Sequence, residues 1–216
     1  MATISCRCGT VKLQFPTRSP RASQECCCRD CHGRIAHLAN LGGPSMPDVT
    51  IASADNRTRP ATFYYFVNRI TVLSGGDRIK YYLMKEGSTN HNMASSCCNT
   101  FLMGHSPAFS GNTVGVPKEL RTLSGVDEPN DGPLLRWFPA DMPGEVVDGP
   151  AGSMPSAWLL DDGKPTGTEG WEIGFGKMCN DVWGADVLEA EDVGDKFVDL
   201  LEEYKARGKE VEIVSK

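Results

Sequence analysis

The stretch Glu25-Cys26-Cys27-Cys28-Arg29-Asp30-Cys31-His32-Gly33-Arg34 decides how the rest of the chain is read. Within it, Cys26, Cys28 and Cys31 form a C-x-C-x-x-C motif. Alternate side chains of an extended backbone share a face, so Cys26 and Cys28 point one way and Cys27 the other. A turn then brings Cys31 round to the same point. Three thiolates converging in this way can hold one zinc ion and leave its fourth position open, the arrangement of a catalytic rather than a structural zinc. Arg29 and Arg34 favour thiolate over thiol. Residues 29–39 read as a short helix with Ile35 and Leu38 turned inward.

Six further cysteines lie outside this motif or between its members: Cys6, Cys8, Cys27, Cys97, Cys98 and Cys179. An odd total of nine, bunched at spacings of one to three residues, reads as metal ligands rather than a disulfide framework. Cys6-Arg7-Cys8-Gly9 offers two ligands from one strand end, with Gly9 permitting a tight turn. Ser95-Ser96-Cys97-Cys98-Asn99-Thr100 offers a third group. Neighbouring strand residues face opposite ways, so Cys98 is the preferred ligand there and Cys97 a core residue, or the alternative ligand. Buried free cysteines also serve as small core residues, and that reading suits the isolated Cys179. His32, His37, His91 and His105 flank the clusters as surface or supporting residues, each a candidate replacement for a missing thiolate.

The chain of 216 residues, with 23 glycines and 14 prolines, favours short strands and many turns. Strands are expected within Thr3–Phe15 as a hairpin, then at Val49–Ala52, Thr62–Val67, Ile70–Leu73, Ile79–Met84, Met93–Ser96 and Phe101–Met103. Ser74-Gly75-Gly76-Asp77 reads as a turn, residues 16–25 as a polar loop, and 142–155 as a linker. Short apolar runs recur near Leu134–Phe138 and Ala157–Leu160. Val193, Phe197, Leu200, Leu201 and Tyr204 predict a helix over about 194–207, with Asp192 as N-cap and Gly208 as stop. Val211–Val214 then returns as a strand.

Residues 1–140 carry fifteen Lys/Arg against ten Asp/Glu, and residues 141–216 seven against eighteen. The asymmetry suggests a zinc-binding body over 1–140 and an acidic C-terminal extension over 141–216. The weak basic excess and scarce aromatic–basic interleaving argue against nucleic acid as partner. No run approaches a membrane span, and the opening residues do not resemble a secretory signal. A cytoplasmic, reducing location is expected.

The order Cys6-Arg7-Cys8-Gly9-Thr10-Val11, then Cys26/Cys28/Cys31, then Cys98-Asn99-Thr100 resembles the glutathione-dependent formaldehyde-activating enzyme family, which includes centromere protein V relatives. The strand-turn-strand Arg69–Tyr82 is similar to the segment leading to that family's late cysteines. The resemblance spans roughly residues 3–105 and extends toward residue 140. It implies a mainly β, Mss4-like antiparallel fold with zinc-binding hairpins, joined here to a C-terminal extension containing one α-helix. It further implies a structural zinc on Cys6, Cys8 and Cys98, and a catalytic zinc on Cys26, Cys28 and Cys31. The implied activity is that of a carbon–sulfur lyase joining a small aldehyde to a thiol such as glutathione. Two departures stand out: Ser95 occupies the place of a family cysteine, and Cys27 the place of a histidine. A zinc-stabilised protein- or nucleic-acid-binding module without catalysis is the alternative, and a redox or metal-buffering role for the Cys26–Cys28 run is a third.

Overall fold

The computed structural model describes residues 1–45, 60–107, 111–118, 120, 123–128, 135–137, 156–159, 165–167 and 194–215. In chain order the elements are β1 (Thr3–Ser5), β2 (Lys12–Gln14), β3 (Ala22–Cys26), α1 (Arg29–Asn40), β4 (Ala61–Val67), β5 (Thr71–Ser74), β6 (Ile79–Lys85) and β7 (His91–Ser95). They continue with β8 (Phe101–His105), β9 (Thr113–Pro117), β10 (Leu123–Ser124), β11 (Leu135–Trp137), β12 (Ser156–Leu159), β13 (Pro165–Gly167), α2 (Phe197–Ala206) and β14 (Glu212–Ser215). The protein is therefore mainly β, with two α-helices and one 3-10 turn at Gly76–Arg78 among the described residues.

Two sheets form. A small one runs β10-β1-β2-β5, and a large one β13-β12-β11-β3-β4-β9-β8-β7-β6-β14. The central pairings are antiparallel, as the sequence suggests. Toward the margins parallel pairs enter: β11 runs parallel to both β3 and β12, and β14 runs parallel to β6, while the edge pair β12–β13 is again antiparallel.

The large sheet is covered on both faces, which explains the unbroken apolar run of β4. Tyr64 and Phe66 enter one core with Ile4, Leu13, Tyr81, Met93 and Val116 between the two sheets. Phe63 and Tyr65 enter the other with Tyr82, Phe101, Ile35 and Leu38 beneath α1. The period-2 alternation of a strand thus distributes one apolar segment between two cores. Phe15 stacks on Phe66 across the first core, with ring centroids 4.5 Å apart. Phe197, Leu200 and Leu201 of α2 close the same core, and Tyr81 meets the Phe197 ring edge-on at 5.4 Å.

Several expectations need correction. The segment 16–25 is not wholly a loop, because its last residues form β3. Ser23 and Gln24 there are buried despite their polarity, since the strand is flanked by β4 and β11. Strand β9 had no clear signal in the sequence. Helix α2 starts at Phe197, with Lys196 rather than Asp192 as N-cap. The backbone N–H of Lys196 donates to the Asp199 carboxylate at 3.1 Å, while Ile70 and Asp195 pair as an isolated bridge just before the helix. Gly208 adopts φ +74 past the helix end, as a helix stop requires. The expected strand at 49–52, the linker at 142–155 and Cys179 lie outside the described residues.

Candidate metal centres

Local backbone geometry assembles the first centre. Strand β3 ends at Cys26, and Cys28 takes up extended angles as the N-cap of α1. Its Sγ accepts the backbone N–H of Cys31 at 3.3 Å, satisfying one of the amides that a helix start leaves free. The Sγ atoms of Cys26 and Cys28 stand 3.3 Å apart, and those of Cys26, Cys28 and Cys31 all lie within 4.8 Å of one another. Cys27 is fully buried and outside the group. Its backbone N–H is bonded to the Trp137 carbonyl at 2.9 Å, which fixes the turn from β3 into α1.

The thiols of this centre share their protons unequally. Contacts from Cys26 and Cys28 hold Cys31 well below the usual thiol range, and the Arg34 guanidinium adds to the effect. Cys26 is pushed up by its thiol neighbours and by burial. At Cys28, the Cys26 contact acts downward, but Cys31 and burial outweigh it and leave the thiol at about 11. Close thiols cannot all ionise without a compensating cation, and a thiol set of this density suits a soft divalent metal.

The second centre is assembled by tertiary structure. The turn joining β1 to β2 carries Cys6 and Cys8, and the turn joining β7 to β8 carries Cys97 and Cys98. All four Sγ atoms lie within 4.8 Å of one another. The Cys6–Cys8, Cys6–Cys97 and Cys8–Cys97 separations are 3.5, 3.8 and 3.4 Å. A tetrahedron with metal–sulfur bonds of about 2.3 Å has edges of about 3.8 Å, so the four thiols fit such an ion.

Cys97 is not the core residue that strand alternation predicts. Strand β7 stops at Ser95, and the turn beyond it carries Asn99 at φ 47, a left-handed conformation. Freed from the pleat, Cys97 and Cys98 face the same point; Cys97 is exposed and Cys98 half-buried.

Ser95, in the place of the missing family cysteine, supports Cys98 instead. Its hydroxyl accepts the Thr100 N–H at 3.0 Å and lies 3.4 Å from Cys98 Sγ. Thr100 Oγ1 likewise accepts the Arg7 N–H at 3.0 Å and lies 3.2 Å from the same sulfur. Each hydroxyl is thus left with its proton to donate to Cys98. Burial acts upward on Cys98, but these donors outweigh it and bring the thiol down to about 6. Burial raises Cys97 to about 12.

Helix α1 joins the two centres. Its first turn carries Cys31. At its far end, about 18 Å away for twelve residues, the loop 41–43 is held by residues of the second centre. Arg7 Nη2 donates to the Gly42 carbonyl at 2.8 Å, and Asn99 Nδ2 to the Leu41 carbonyl at 2.6 Å. The contact leaves no room for a side chain at Gly43, where a Cβ would stand 2.0 Å from the Asn99 carbonyl oxygen.

No histidine joins either metal group among the described residues. His32 Nδ1 lies 3.0 Å from the Cys28 carbonyl and steadies the N-cap. His37 Nε2 lies 3.3 Å from the Glu212 carboxylate. His91 Nδ1 lies 3.1 Å from the Thr89 carbonyl, and His105 stacks on Phe197 at 5.1 Å. Tyr65 sits beside the first centre and was not singled out by the sequence, where it reads only as strand core. Burial first, then the Cys31 and Cys26 thiols, raise its phenol well above the usual range.

No known protein-family model matches the chain, and no curated protein matches it. A solved Rhodobacter sphaeroides structure from a structural genomics programme is weakly similar. It has 18% identity and a TM-score of 0.37, over 61% of this chain and 94% of that one. No helix among the described residues is long and apolar enough to cross a membrane.

Proposed function

We propose that the protein is a zinc enzyme of the carbon–sulfur lyase type, acting on the adduct of a small aldehyde with glutathione or another thiol. One observation carries the reading: the two centres differ in ligand number. Cys6, Cys8, Cys97 and Cys98 make a closed four-thiol set, whereas Cys26, Cys28 and Cys31 are joined by no fourth His, Cys, Asp or Glu among the described residues. A three-ligand set leaves a coordination position for substrate. The resemblance in cysteine order to formaldehyde-activating enzymes supports the same division of roles.

A zinc ion held by Cys26, Cys28 and Cys31 would supply Lewis acidity toward a substrate thiol or an aldehyde oxygen. The chain contributes the rest. Cys28 as N-cap and Cys31 in the first turn of α1 fix the donor geometry, and the apolar surroundings of Phe63, Tyr65, Ile35 and Ala61 limit water around them. In the forward direction the thiol sulfur forms a bond to the aldehyde carbon, the carbonyl π bond opens, and the thiol proton ends on the new hydroxyl. Tyr65, kept protonated by its burial, is the nearby phenol able to steady that oxygen. Thiol-dependent chemistry suits a reducing, cytoplasmic compartment.

Metal analysis together with a turnover assay tests the reading. The purified chain should hold two zinc ions, and Cys28→Ser one. Exchange of 13C-formaldehyde into S-hydroxymethylglutathione, followed by NMR, should exceed the uncatalysed rate with the wild type and not with Cys28→Ser. A Cys179→Ser chain should keep both properties. If Cys28→Ser exchanged formaldehyde as fast as the wild type, or if Cys179→Ser lost the second zinc, the proposal would be abandoned.

A further inference from the structure

Arg34 stands one helical turn beyond Cys31 and on the same side of α1. It is half-buried, and Nε donates to the Asp30 carbonyl at 3.3 Å. No carboxylate pairs with its guanidinium among the described residues; the charge it faces is the Cys31 thiolate, whose ionisation it favours. Its place on the sheet is prepared. Gly104 of β8 and Gly115 of β9 are direct register partners, so two neighbouring strands present bare backbone under α1. Arg34 Nη1 occupies the space over Gly104, 2.8 Å from where a Cβ would stand. The Tyr65 ring covers Gly115 at 3.5 Å.

Two further groups tie this turn of α1 to the sheet beneath it. Tyr82 Oη donates to the Arg34 carbonyl at 2.9 Å, locking the helix turn to β6. Asn92 is fully buried and donates through Nδ2 to the Tyr82 carbonyl at 3.2 Å. Its Oδ1 has no hydrogen-bond partner and lies 3.5 Å from the same point above Gly104. The result is a positioned cation, with its fork of donors largely uncommitted, beside a three-thiol centre.

We infer that Arg34 is the anion-recognising residue of the Cys26/Cys28/Cys31 centre, pairing with a carboxylate on the thiol substrate. The inference rests on the reading that this centre has an open position for a thiol, and it specifies which thiols enter. A guanidinium presents paired donors matching the two oxygens of a carboxylate, so the site selects thiols bearing an acid group over neutral thiols of equal size. Gly104, which leaves room for Nη1, is a positioning residue for that contact.

The test uses the full chain loaded with cobalt(II) in place of zinc and titrated with mercaptoacetate or 2-mercaptoethanol, read by the sulfur-to-cobalt charge-transfer bands. Mercaptoacetate should bind at least about tenfold more tightly than mercaptoethanol, the scale of a charged hydrogen-bonded contact. Arg34→Met should erase that preference and leave mercaptoethanol binding within about twofold. Arg34→Lys should keep part of it. Gly104→Ala, which displaces Nη1 while leaving every thiol in place, should reduce the preference with cobalt stoichiometry unchanged, and it serves if Arg34→Met does not fold. Equal binding of both thiols to the wild type would overturn the inference. So would an Arg34→Met chain that weakens both ligands equally with an altered resting spectrum, since the guanidinium would then only balance thiolate charge. If neither thiol changes the wild-type spectrum, the centre is closed, and the proposed function fails together with the inference.

Discussion

Replacing Gly43 with alanine tests how the two centres are joined. Gly43 follows the C-terminal turn of α1, where Gly42 adopts φ +84 and the Gly43 N–H returns to the Leu38 carbonyl at 2.9 Å. A Cβ there would stand 2.0 Å from the Asn99 carbonyl oxygen and 2.7 Å from the Leu38 oxygen, where real Cβ atoms keep at least 3.0 Å. Both obstacles are backbone, so the loop and the cysteine-bearing turn must separate by about 1 Å. Overpacking of this kind costs about 1–3 kcal/mol. Separation also weakens the bonds from Asn99 to Leu41 and from Arg7 to Gly42, at about 1 kcal/mol each. The expected destabilisation is about 3–5 kcal/mol, a large part of a typical domain's stability.

Gly33→Ala is the matched comparison. It lies inside α1, and its new Cβ would meet only the flexible Met84 Cε at 3.3 Å. Helix propensity should then stabilise the protein by about 0.5–1 kcal/mol. Urea denaturation should show the two midpoints moving in opposite directions at unchanged slope. Competition with a chelator should show weaker metal retention by Gly43→Ala, because Cys97 and Cys98 move with Asn99. A Gly43→Ala protein within 1 kcal/mol of wild type, with normal metal retention, would refute the packing of loop 41–43 on the 96–99 turn.

Three further outcomes are expected. Cys97→Ser should reduce metal content from two ions to one by mass spectrometry under native conditions, whereas a Cys97 confined to the core would leave the content unchanged. Ser95→Ala removes one hydroxyl donor from Cys98 and should raise that thiol's pKa, measured from the pH dependence of alkylation in a metal-free Cys6→Ser, Cys8→Ser, Cys97→Ser background; an unchanged profile would show the contact to be idle. His105 is buried with an unpartnered Nε2, and burial first, then His91, lower its pKa to about 4. Its folded-state pKa lies below the unfolded value of 6.5, so its stabilising effect is complete above that value and is lost as pH falls toward 4. The loss amounts to about 2 kcal/mol between pH 7 and pH 5. His91, itself lowered by burial, acts in the same direction. Urea midpoints of wild type and His105→Leu at both pH values isolate this effect from thiol protonation common to both, and an identical pH dependence in the two proteins would discount it.

Much of the fold was legible because its signals are local. The alternating β2, the apolar β4 and β6, the Ser74–Asp77 turn and the 3.6-residue spacing of α1 and α2 each reflect which side chains one short segment can bury. β3 was not legible, since Ser23 and Gln24 look like loop residues until two neighbouring strands satisfy their backbone. Strand β9 was obscured by Gly115, whose value lies in what it leaves open beneath Tyr65. The parallel attachment of β14 to β6 was equally hidden, because strand direction depends on the path of the chain between the two.

For the metal centres the division is sharper. Sequence spacing alone determined that Cys26, Cys28 and Cys31 could converge, because extended backbone followed by a helix start leaves little freedom over six residues. The second centre joins Cys6 to Cys97 across 91 positions, and no local rule governs such a distance. The family resemblance implied that Cys6, Cys8 and Cys98 belong together, and the meeting of the β1–β2 and β7–β8 turns added Cys97. There the left-handed Asn99 released Cys97 from the strand alternation that would have turned it away, and Ser95 became a donor to Cys98. The same long-range packing set Arg34 over Gly104, giving a cation already visible in the sequence a defined place beside the three-thiol centre.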